Sequence, residues 1–256
     1  MTLHVEQAGD GPDLVMLHGW AMHGGIFAPL LPLLARQFRV HVVDLPGHGH
    51  SADSDEPIDP ALCATQLADR LPPALWAGWS FGGLVALRAA LGHAAQVRGL
   101  VEICASPRFV AASDWPHGVA ADVFVQFGVG LLENYRGTIE RFLALETLGS
   151  AHAQDELRAL KARVFERGDP ALAVLEDGLQ ILQSTDLRDE LATLTMPSLW
   201  IAGRRDRLVP AAAMRVSSHL APGGEFLEIA SGHAPFLSHA TQVADTIGAF
   251  ARRIGS

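Results

Sequence analysis

A serine held between two glycines is the feature that most constrains what this chain can fold into. Residues 78–82, Gly-Trp-Ser-Phe-Gly, match the G-x-S-x-G pattern of a nucleophile elbow. A short apolar run at 74–77 precedes the pattern and a helical pattern at 84–90 follows it, so the context is strand, sharp turn, helix. Side chains beside the serine would collide in such a turn, which explains the glycines. The pattern predicts that Ser80 is a nucleophile at a helix N-terminus, where free N–H groups and the helix dipole face the reacting atoms.

A serine nucleophile needs a base, and the base needs an orienting acid. In the hydrolase order both follow the serine, with the acid first. Asp206 comes just after a predicted strand at 199–202, and His233 follows a predicted last strand at 226–229. Taken singly, Asp206 could be a solvated loop acid and His233 one surface histidine among twelve. Their joint order, each after a strand, predicts a Ser80–Asp206–His233 catalytic triad.

An early strand predicts the oxyanion hole. The apolar run at 14–17 is followed by His18, Gly19 and Trp20. A hydrolase of this kind takes one donor from such a loop and one from the residue after the nucleophile, here the backbone N–H groups of Trp20 and Phe81. Preorganised donors of this kind contribute about a hundredfold or more in rate. We expect His18 to be structural, holding the turn through side-chain hydrogen bonds, because His233 already fills the role of base.

Composition limits the classes of partner and compartment. A net charge of −9 disfavours nucleic acid or an anionic membrane as the main partner. No apolar run is long enough to span a bilayer, and the N-terminus lacks the pattern of a secretory signal. Two cysteines, Cys63 and Cys104, suggest no disulfide framework, so we expect a cytoplasmic protein. The histidines around 48–50 match no zinc-site spacing, and we expect no metal.

Alternating strand and helix signals indicate an α/β fold with a mostly parallel sheet and helices on both faces. The 256 residues, 49% of them hydrophobic, fit one large domain or one domain that carries an insertion. The strand signals are short apolar runs that end at turn residues, together with a weakly alternating N-terminal segment: 2–7, 14–17, 40–43, 75–77, 97–104, 199–202 and 226–229.

The alternation stops between residues 107 and 187, where no strand signal appears. Helical patterns there cover 138–148, with a stop at Gly149, then 155–165 and 172–182. We therefore expect an all-helical cap over 107–187, inserted between strand six and strand seven, on a core formed by 1–106 and 188–256. Such a cap would cover Ser80 and supply the substrate pocket.

With these residues considered, the chain resembles the α/β-hydrolase superfamily over essentially its whole length. More narrowly, it resembles the family of pimeloyl-[acyl-carrier protein] methyl ester esterases of biotin biosynthesis. Tryptophan after His-Gly and the cap motifs are the more specific part of the resemblance, since the other hydrolase motifs are common to many activities. The motifs that carry it lie at 17–20, 43–47, 78–86, 140–145, 158–161, 185–188 and 233–236.

The resemblance implies hydrolysis of the methyl ester on a pimeloyl chain carried by acyl-carrier protein, with release of methanol and without a cofactor. It also implies a set of substrate contacts in the core and the cap, which are Trp20, Ser80, Phe81, Phe142, Leu143, Ala144, Leu145, Glu146 and His233. Cap-to-core packing is the alternative role for residues 142–145. The family uses additional cap arginines, and Gly137 and Gln154 stand here where two of them would be.

Because acyl-carrier protein and this chain are both acidic, docking requires a local basic face. The resemblance and the charges place it at Arg141, Arg158 and Lys161, the last two on one face of a helix. Interleaved acids leave open the alternative of a solvated surface of mixed charge. We expect a monomer that takes a small acyl ester presented by the carrier.

Two other functions remain open. One is a promiscuous short-chain carboxylesterase or carbon–carbon bond hydrolase with the same triad. The other is a non-enzymatic ligand receptor on this fold, since intact triad residues do not exclude binding without turnover. A dehalogenase would need a carboxylate nucleophile, and Ser80 argues against that reaction.

Overall fold

A seven-stranded sheet forms the centre of the computed structural model, which describes residues 3–54, 56–148 and 150–255. The strand order is β1-β3-β2-β4-β5-β6-β7, and every pairing is parallel except that of the edge strand β1 with β3. All seven predicted strands are present within the described residues. Their bounds are β1 Val5–Ala8, β2 Asp13–Leu17, β3 Arg39–Val43, β4 Ala74–Trp79, β5 Val97–Ile103, β6 Ser198–Gly203 and β7 Gly224–Ile229.

Helices cover both faces of this sheet, as predicted. A side chain built on Gly99 of β5 would contact Phe250 and Ile254 at one face. Glu102 lies three residues further along the strand, so it points to the opposite face, where it approaches Gly83. The core helices are α1 Leu31–Leu34, α2 Pro60–Ala68, α3 Phe81–Gly92, α8 Ala211–Leu220, α9 Pro235–Ser238 and α10 Ala240–Ile254. None of the described helices combines the length and apolar composition needed to cross a bilayer.

Four more helices lie between β5 and β6, and they are α4 Ala121–Glu133, α5 Tyr135–Thr147, α6 Ala153–Val164 and α7 Leu172–Ser184. The expected position between the sixth and seventh strands was therefore wrong, because only five strands precede these helices in the described chain. Three of the helices match predicted patterns. The fourth helix, α4, was not predicted, because Gly128 and Gly130 weaken its helical pattern. The stop predicted at Gly149 lies outside the described residues, and α5 ends at Thr147.

The helical segment formed by α4 to α7 is joined to the core by hydrogen bonds near the sheet. The indole N–H of Trp20 donates to the carbonyl of Leu175 in α7, at 2.9 Å. His23 accepts the N–H of Gly25 at Nδ1, so its Nε2 carries the proton and donates to the carbonyl of Arg163 at 2.7 Å. Both tethers start from the loop after β2, which is the loop that carries the predicted oxyanion donor.

A buried ion pair makes a second junction. Arg167, between α6 and α7, bonds to Oδ2 of Asp44 at 3.1 Å and to Glu6 at 3.0–3.1 Å. Asp44 is 1% exposed and also accepts the backbone N–H groups of Gly24 and His50. These partners hold the pKa of Asp44 below its usual value although burial opposes them. The junction therefore fastens the helical segment to the end of β3.

Candidate active site

Ser80, the predicted nucleophile, occupies a strained turn between β4 and α3. Its φ of 55° and ψ of −119° lie outside the regions that L-residues favour. The flanking glycines are required by contact, because a Cβ on Gly78 would lie 2.3 Å from the carbonyl oxygen of Gly82. A Cβ on Gly82 would in turn lie 2.3 Å from the carbonyl oxygen of Leu17. The strand–turn–helix geometry of a nucleophile elbow is thus present.

Asp206 and His233 form a buried hydrogen-bonded pair. Oδ2 of Asp206 lies 2.7 Å from Nδ1 of His233, and both side chains are fully buried. Oδ1 of the same carboxylate accepts the N–H groups of Leu208 and Val209 at 2.8 and 2.9 Å. Since Asp206 only accepts, Nδ1 carries the proton and Nε2 is the basic nitrogen of the neutral imidazole.

The backbone of His233 is fixed from two sides. Its N–H donates to the carbonyl of Glu146 at 2.9 Å, and its carbonyl accepts the indole N–H of Trp79 at 2.8 Å. Burial alone would lower the pKa of His233, but attraction and hydrogen bonding from Asp206 outweigh it, so the pKa is raised above 6.5. Nε2 is buried and has no hydrogen-bond partner among the described residues, Ser80 included. Hydrogen bonds of this kind often close only when substrate binds.

The two predicted oxyanion donors lie next to Ser80. Phe81 is the first residue of α3, and a Cβ on Gly19 would lie 3.3 Å from Cβ of Ser80, so the loop after β2 runs against the nucleophile. Ala21 in that loop has a φ of +61°. Within the described chain, the N–H groups of Trp20 and Phe81 donate to no other group. Both are therefore available to a negative oxygen at Ser80.

His18 has the structural position that the sequence analysis expected. Its Nδ1 lies 2.8 Å from the carbonyl oxygen of Gly19, and its Nε2 accepts the N–H of Leu45 at 2.9 Å. Burial lowers its pKa to about 3. A neutral imidazole with both nitrogens bonded to the backbone holds two loops together.

Comparison with known proteins decides the family. Residues 14–246 match the model of the alpha/beta hydrolase family. The chain belongs to that family. Proteins named "Pimeloyl-[acyl-carrier protein] methyl ester esterase" are similar to it over nearly their whole length. The protein of that name from Xanthomonas axonopodis pv. citri (strain 306) is 55% identical over 97% of this chain and 98% of its own. The one from Stenotrophomonas maltophilia (strain R551-3) is 55% identical over 97% and 96%.

Solved structures show the same fold at low identity. A bromoperoxidase from Bacillus anthracis superposes with a TM-score of 0.88 at 20% identity, covering 98% of this chain and 95% of that one. An esterase from Exiguobacterium antarcticum superposes with a TM-score of 0.85 at 23% identity, covering 99% and 96%. The predicted hydrolase fold and family resemblance are confirmed.

In this hydrolase, part of the predicted substrate set lies over the site. The ring of Phe142 in α5 meets that of Trp20 edge to face at 4.7 Å, and both are buried. Leu143 is also buried, whereas Ala144 is exposed on the outer side of α5. Leu145 is half-buried. The structure thus brings Phe142 to the predicted oxyanion loop but does not bring Ala144 there.

A groove runs between α4 and α5 on the outer surface of the helical segment. Its volume is about 530 Å³, and Leu145 lies in its wall together with Arg141. Two side chains of α4 in its wall, Val125 and Val129, are 51% and 53% exposed. This apolar surface was not predicted, because α4 itself was not predicted. Apolar residues three and four apart were the available signal.

The three predicted docking cations are exposed, and each has a nearby partner. Arg158 pairs with Asp155 at 3.2 Å, and Lys161 pairs with Glu140 at 2.5 Å. Arg141 donates to the hydroxyl of Thr138 at 2.6 Å. Lys161 and Arg141 lie on the adjacent helices α6 and α5, and Arg158 is 78% exposed. The basic surface is therefore partly neutralised by acids, as the interleaved charges indicated.

One group of possible metal ligands lies apart from the triad. His4, Glu6 and His50 place one ligand atom each within 4.8 Å of one another near the N-terminal edge strand. The carboxylate of Glu6 is already paired with Arg167, whose positive charge opposes a cation there. His48 is not in this group, because its ring is buried against that of His18 at 5.3 Å.

Proposed function

We propose that this hydrolase cleaves the methyl ester of a pimeloyl chain carried by acyl-carrier protein, as the names of its relatives indicate for them. The observation that carries the proposal is the 55% identity over 97% of the chain, with no long segment of either protein left unmatched. The geometry alone supports ester hydrolysis, and the relatives supply the substrate. Biotin biosynthesis is the pathway that needs the freed carboxylate.

The proposed mechanism is acyl transfer to Ser80. Neutral His233 takes the hydroxyl proton of Ser80 at Nε2 as the oxygen attacks the ester carbonyl, and Asp206 stabilises the resulting imidazolium. The N–H groups of Trp20 and Phe81 stabilise the negative oxygen of the tetrahedral intermediate. His233 then returns the proton to the departing methoxy oxygen, which leaves as methanol. Water then attacks the acyl carbonyl as it gives a proton to the same imidazole. The imidazolium returns that proton to the departing Oγ of Ser80, which restores the enzyme and frees the pimeloyl carboxylate.

The helical segment, which we propose as the cap over 107–187, would hold the acyl chain and dock the carrier. Phe142 against Trp20 supports a chain path that ends at the oxyanion loop. The groove that joins Leu145 to Arg141 is mostly apolar, which suits an acyl chain, and its charged wall residues are Arg141 and Glu133. Arg141 is the one that would attract an acidic carrier. Arg158 and Lys161 would add to the attraction.

We further propose that the protein acts as a monomer in a reducing compartment such as the cytoplasm. The described residues of one chain supply all the groups of the proposed site. Cys63 and Cys104 are both free and buried, which fits a compartment that keeps thiols reduced. Gel filtration and cell fractionation test these two points.

Genetic complementation tests the function. The gene for this chain is expressed in a bacterial strain that lacks its own pimeloyl-carrier methyl ester esterase and is grown without biotin. The intact gene should restore growth and the Ser80→Ala gene should not, at equal protein levels measured by immunoblot. If the intact gene fails to restore growth, the proposed substrate is contradicted. If the Ser80→Ala gene also restores growth, the proposed nucleophile is contradicted.

A further inference from the structure

The end of α5, which carries the buried residue Glu146, is packed against the loop of the proposed base. Glu146 lies one residue before the end of α5 and is 2% exposed. Its carbonyl oxygen accepts the N–H of His233 at 2.9 Å. A Cβ on Gly232 would lie 2.7 Å from the same oxygen, so the end of α5 sits directly on the loop that carries the base. The proposed triad mechanism assigns no role to the carboxyl group of Glu146.

One oxygen of the Glu146 carboxyl group is buried without a compensating partner. Its Oε2 is inaccessible and has no hydrogen-bond partner in the described part of the chain, and the same is true of Nε2 of His233. The titratable groups that interact with it are His233, Asp206 and Cys104, from the loops after β7, β6 and β5. Cys104 is a neutral thiol, because burial raises its pKa well above the usual value. Asp206 is a second carboxylate and disfavours another negative charge.

These surroundings keep Glu146 protonated. Burial raises the pKa of its carboxyl group to about 8, and Asp206 adds to that shift while His233 opposes it. A neutral carboxylic acid leaves the imidazole of His233 uncharged and free to accept a proton. An ionised carboxylate would instead favour the imidazolium form, which cannot act as a base, and would add negative charge close to the developing oxyanion.

We propose that Glu146 is a positioning residue that works as a neutral acid beside His233, and that its ionisation ends the active range on the alkaline side. The inference rests on the proposed base His233 but not on the carrier-bound substrate. A small ester therefore tests it, and failure of the proposed carrier substrate would leave the outcome intact.

The test is the pH profile of kcat/KM for p-nitrophenyl butyrate between pH 6 and 9.5, with each protein scaled to its own maximum. The wild-type protein should lose activity above about pH 8, approaching tenfold per pH unit if the ionised form is inactive. Glu146→Gln, which cannot ionise, should lack this alkaline limb. Glu156→Gln is the matched control, because Glu156 is also buried in the helical segment but bonds to Ser150 at 2.9 Å. It should keep the wild-type alkaline limb.

Thermal unfolding supplies a readout that does not depend on catalysis. The pKa of Glu146 is raised above its usual 4.5, so the stability tied to its protonated form is complete below pH 4.5 and is lost as pH rises to about 8. The Tm of Glu146→Gln minus the Tm of wild type should therefore increase from pH 5 to pH 8. The same difference for Glu156→Gln should not follow this trend.

Two results would overturn the proposal. One is an alkaline limb that persists unchanged in Glu146→Gln, and the other is a wild-type profile that stays flat to pH 9.5. If Glu146→Gln does not fold, the wild-type protein is titrated by infrared spectroscopy, which detects the C=O stretching band of a protonated Glu146 carboxyl group. A buried protonated acid at pH 7 that disappears near pH 8 supports the proposal, and its absence at pH 7 contradicts it.

Discussion

The proposed active site and the outer face of the helical segment differ in how their charged and polar groups are stabilised. Asp206 and His233 are fully buried and are held by backbone N–H and C=O groups at fixed distances. Arg158 and Lys161 are exposed and are paired only with neighbouring carboxylates. Losing one member of a buried set leaves a charge or dipole that water cannot reach, whereas water compensates at the surface. Single substitutions should therefore have large effects in the first region and small effects in the second.

Removal of the nucleophile should have the largest effect. Ser80→Ala should lower kcat on any ester by on the order of 10⁴-fold or more, because no other group in the proposed site forms the acyl-enzyme. Stopped-flow assays should show no burst of product. Ser217→Ala is the control, since Ser217 is a buried serine of α8 that bonds only within its helix. Near-normal turnover by Ser80→Ala would refute the mechanism.

Breaking the buried Arg167–Asp44 pair between the helical segment and the core should have the second largest effect, in this case on stability. Arg167→Met leaves Asp44 buried without its cation and should lower the free energy of unfolding by about 3 kcal/mol. Arg136→Met removes an exposed pair with Asp169 and should change it by less than about 1 kcal/mol. Urea denaturation measures both. Equal losses would mean that burial does not distinguish the two pairs.

The acid limb of the pH profile should reflect the raised pKa of His233. Neutral His233 is the proposed base, so kcat/KM should fall as the pH drops through its pKa, up to tenfold per unit. Asp206 places the midpoint above 6.5. Rates on a small ester from pH 5 to 8 test this. A midpoint below pH 6.5, or a flat profile, would contradict the proposal that His233 is the base and that Asp206 raises its pKa.

The smallest effect should appear on the exposed face, and only with the carrier. Reversing Arg141 and Arg158 together to Glu should lower kcat/KM for a carrier-bound ester several-fold and weaken its salt dependence, while a small ester is little affected. Arg204→Glu with Arg253→Glu gives the same change in net charge on the core and serves as the control.

Two outcomes of the Arg141 and Arg158 experiment would contradict the docking proposal. Equal losses on carrier-bound and small esters would mean that these arginines support structure instead. Unchanged carrier kinetics would place docking elsewhere.

The sequence predicted the core better than the helical segment, for a physical reason. Strands of a buried parallel sheet are continuous apolar runs that end at turns, so β2 to β7 were found within one or two residues. The elbow at Ser80 has a local part as well, because Gly78 is required by a contact with Gly82, four residues further along the chain. Asp206 and His233 followed from their positions after strand ends.

What the sequence could not provide depends on packing between distant segments. The family resemblance implied that Glu146 contacts substrate, and only the fold shows that Glu146 is buried and bonded through its backbone to His233. The pairing of Arg167 with Asp44 joins residues 123 positions apart, which no local pattern encodes.

The most direct test of the proposed function compares the hydrolysis rate of one methyl ester in two forms, bound to the carrier protein and bound to a short thiol. Purified protein is given pimeloyl-[acyl-carrier protein] methyl ester, or the same methyl ester on a short thiol, and mass spectrometry follows loss of the methyl group. We predict free carboxylate on the carrier-bound chain and a kcat/KM at least about tenfold higher for the carrier form, because remote binding contacts assist the reaction. No hydrolysis of the carrier-bound ester by protein that still turns over p-nitrophenyl butyrate through Ser80 would contradict the proposal and indicate a general short-chain esterase.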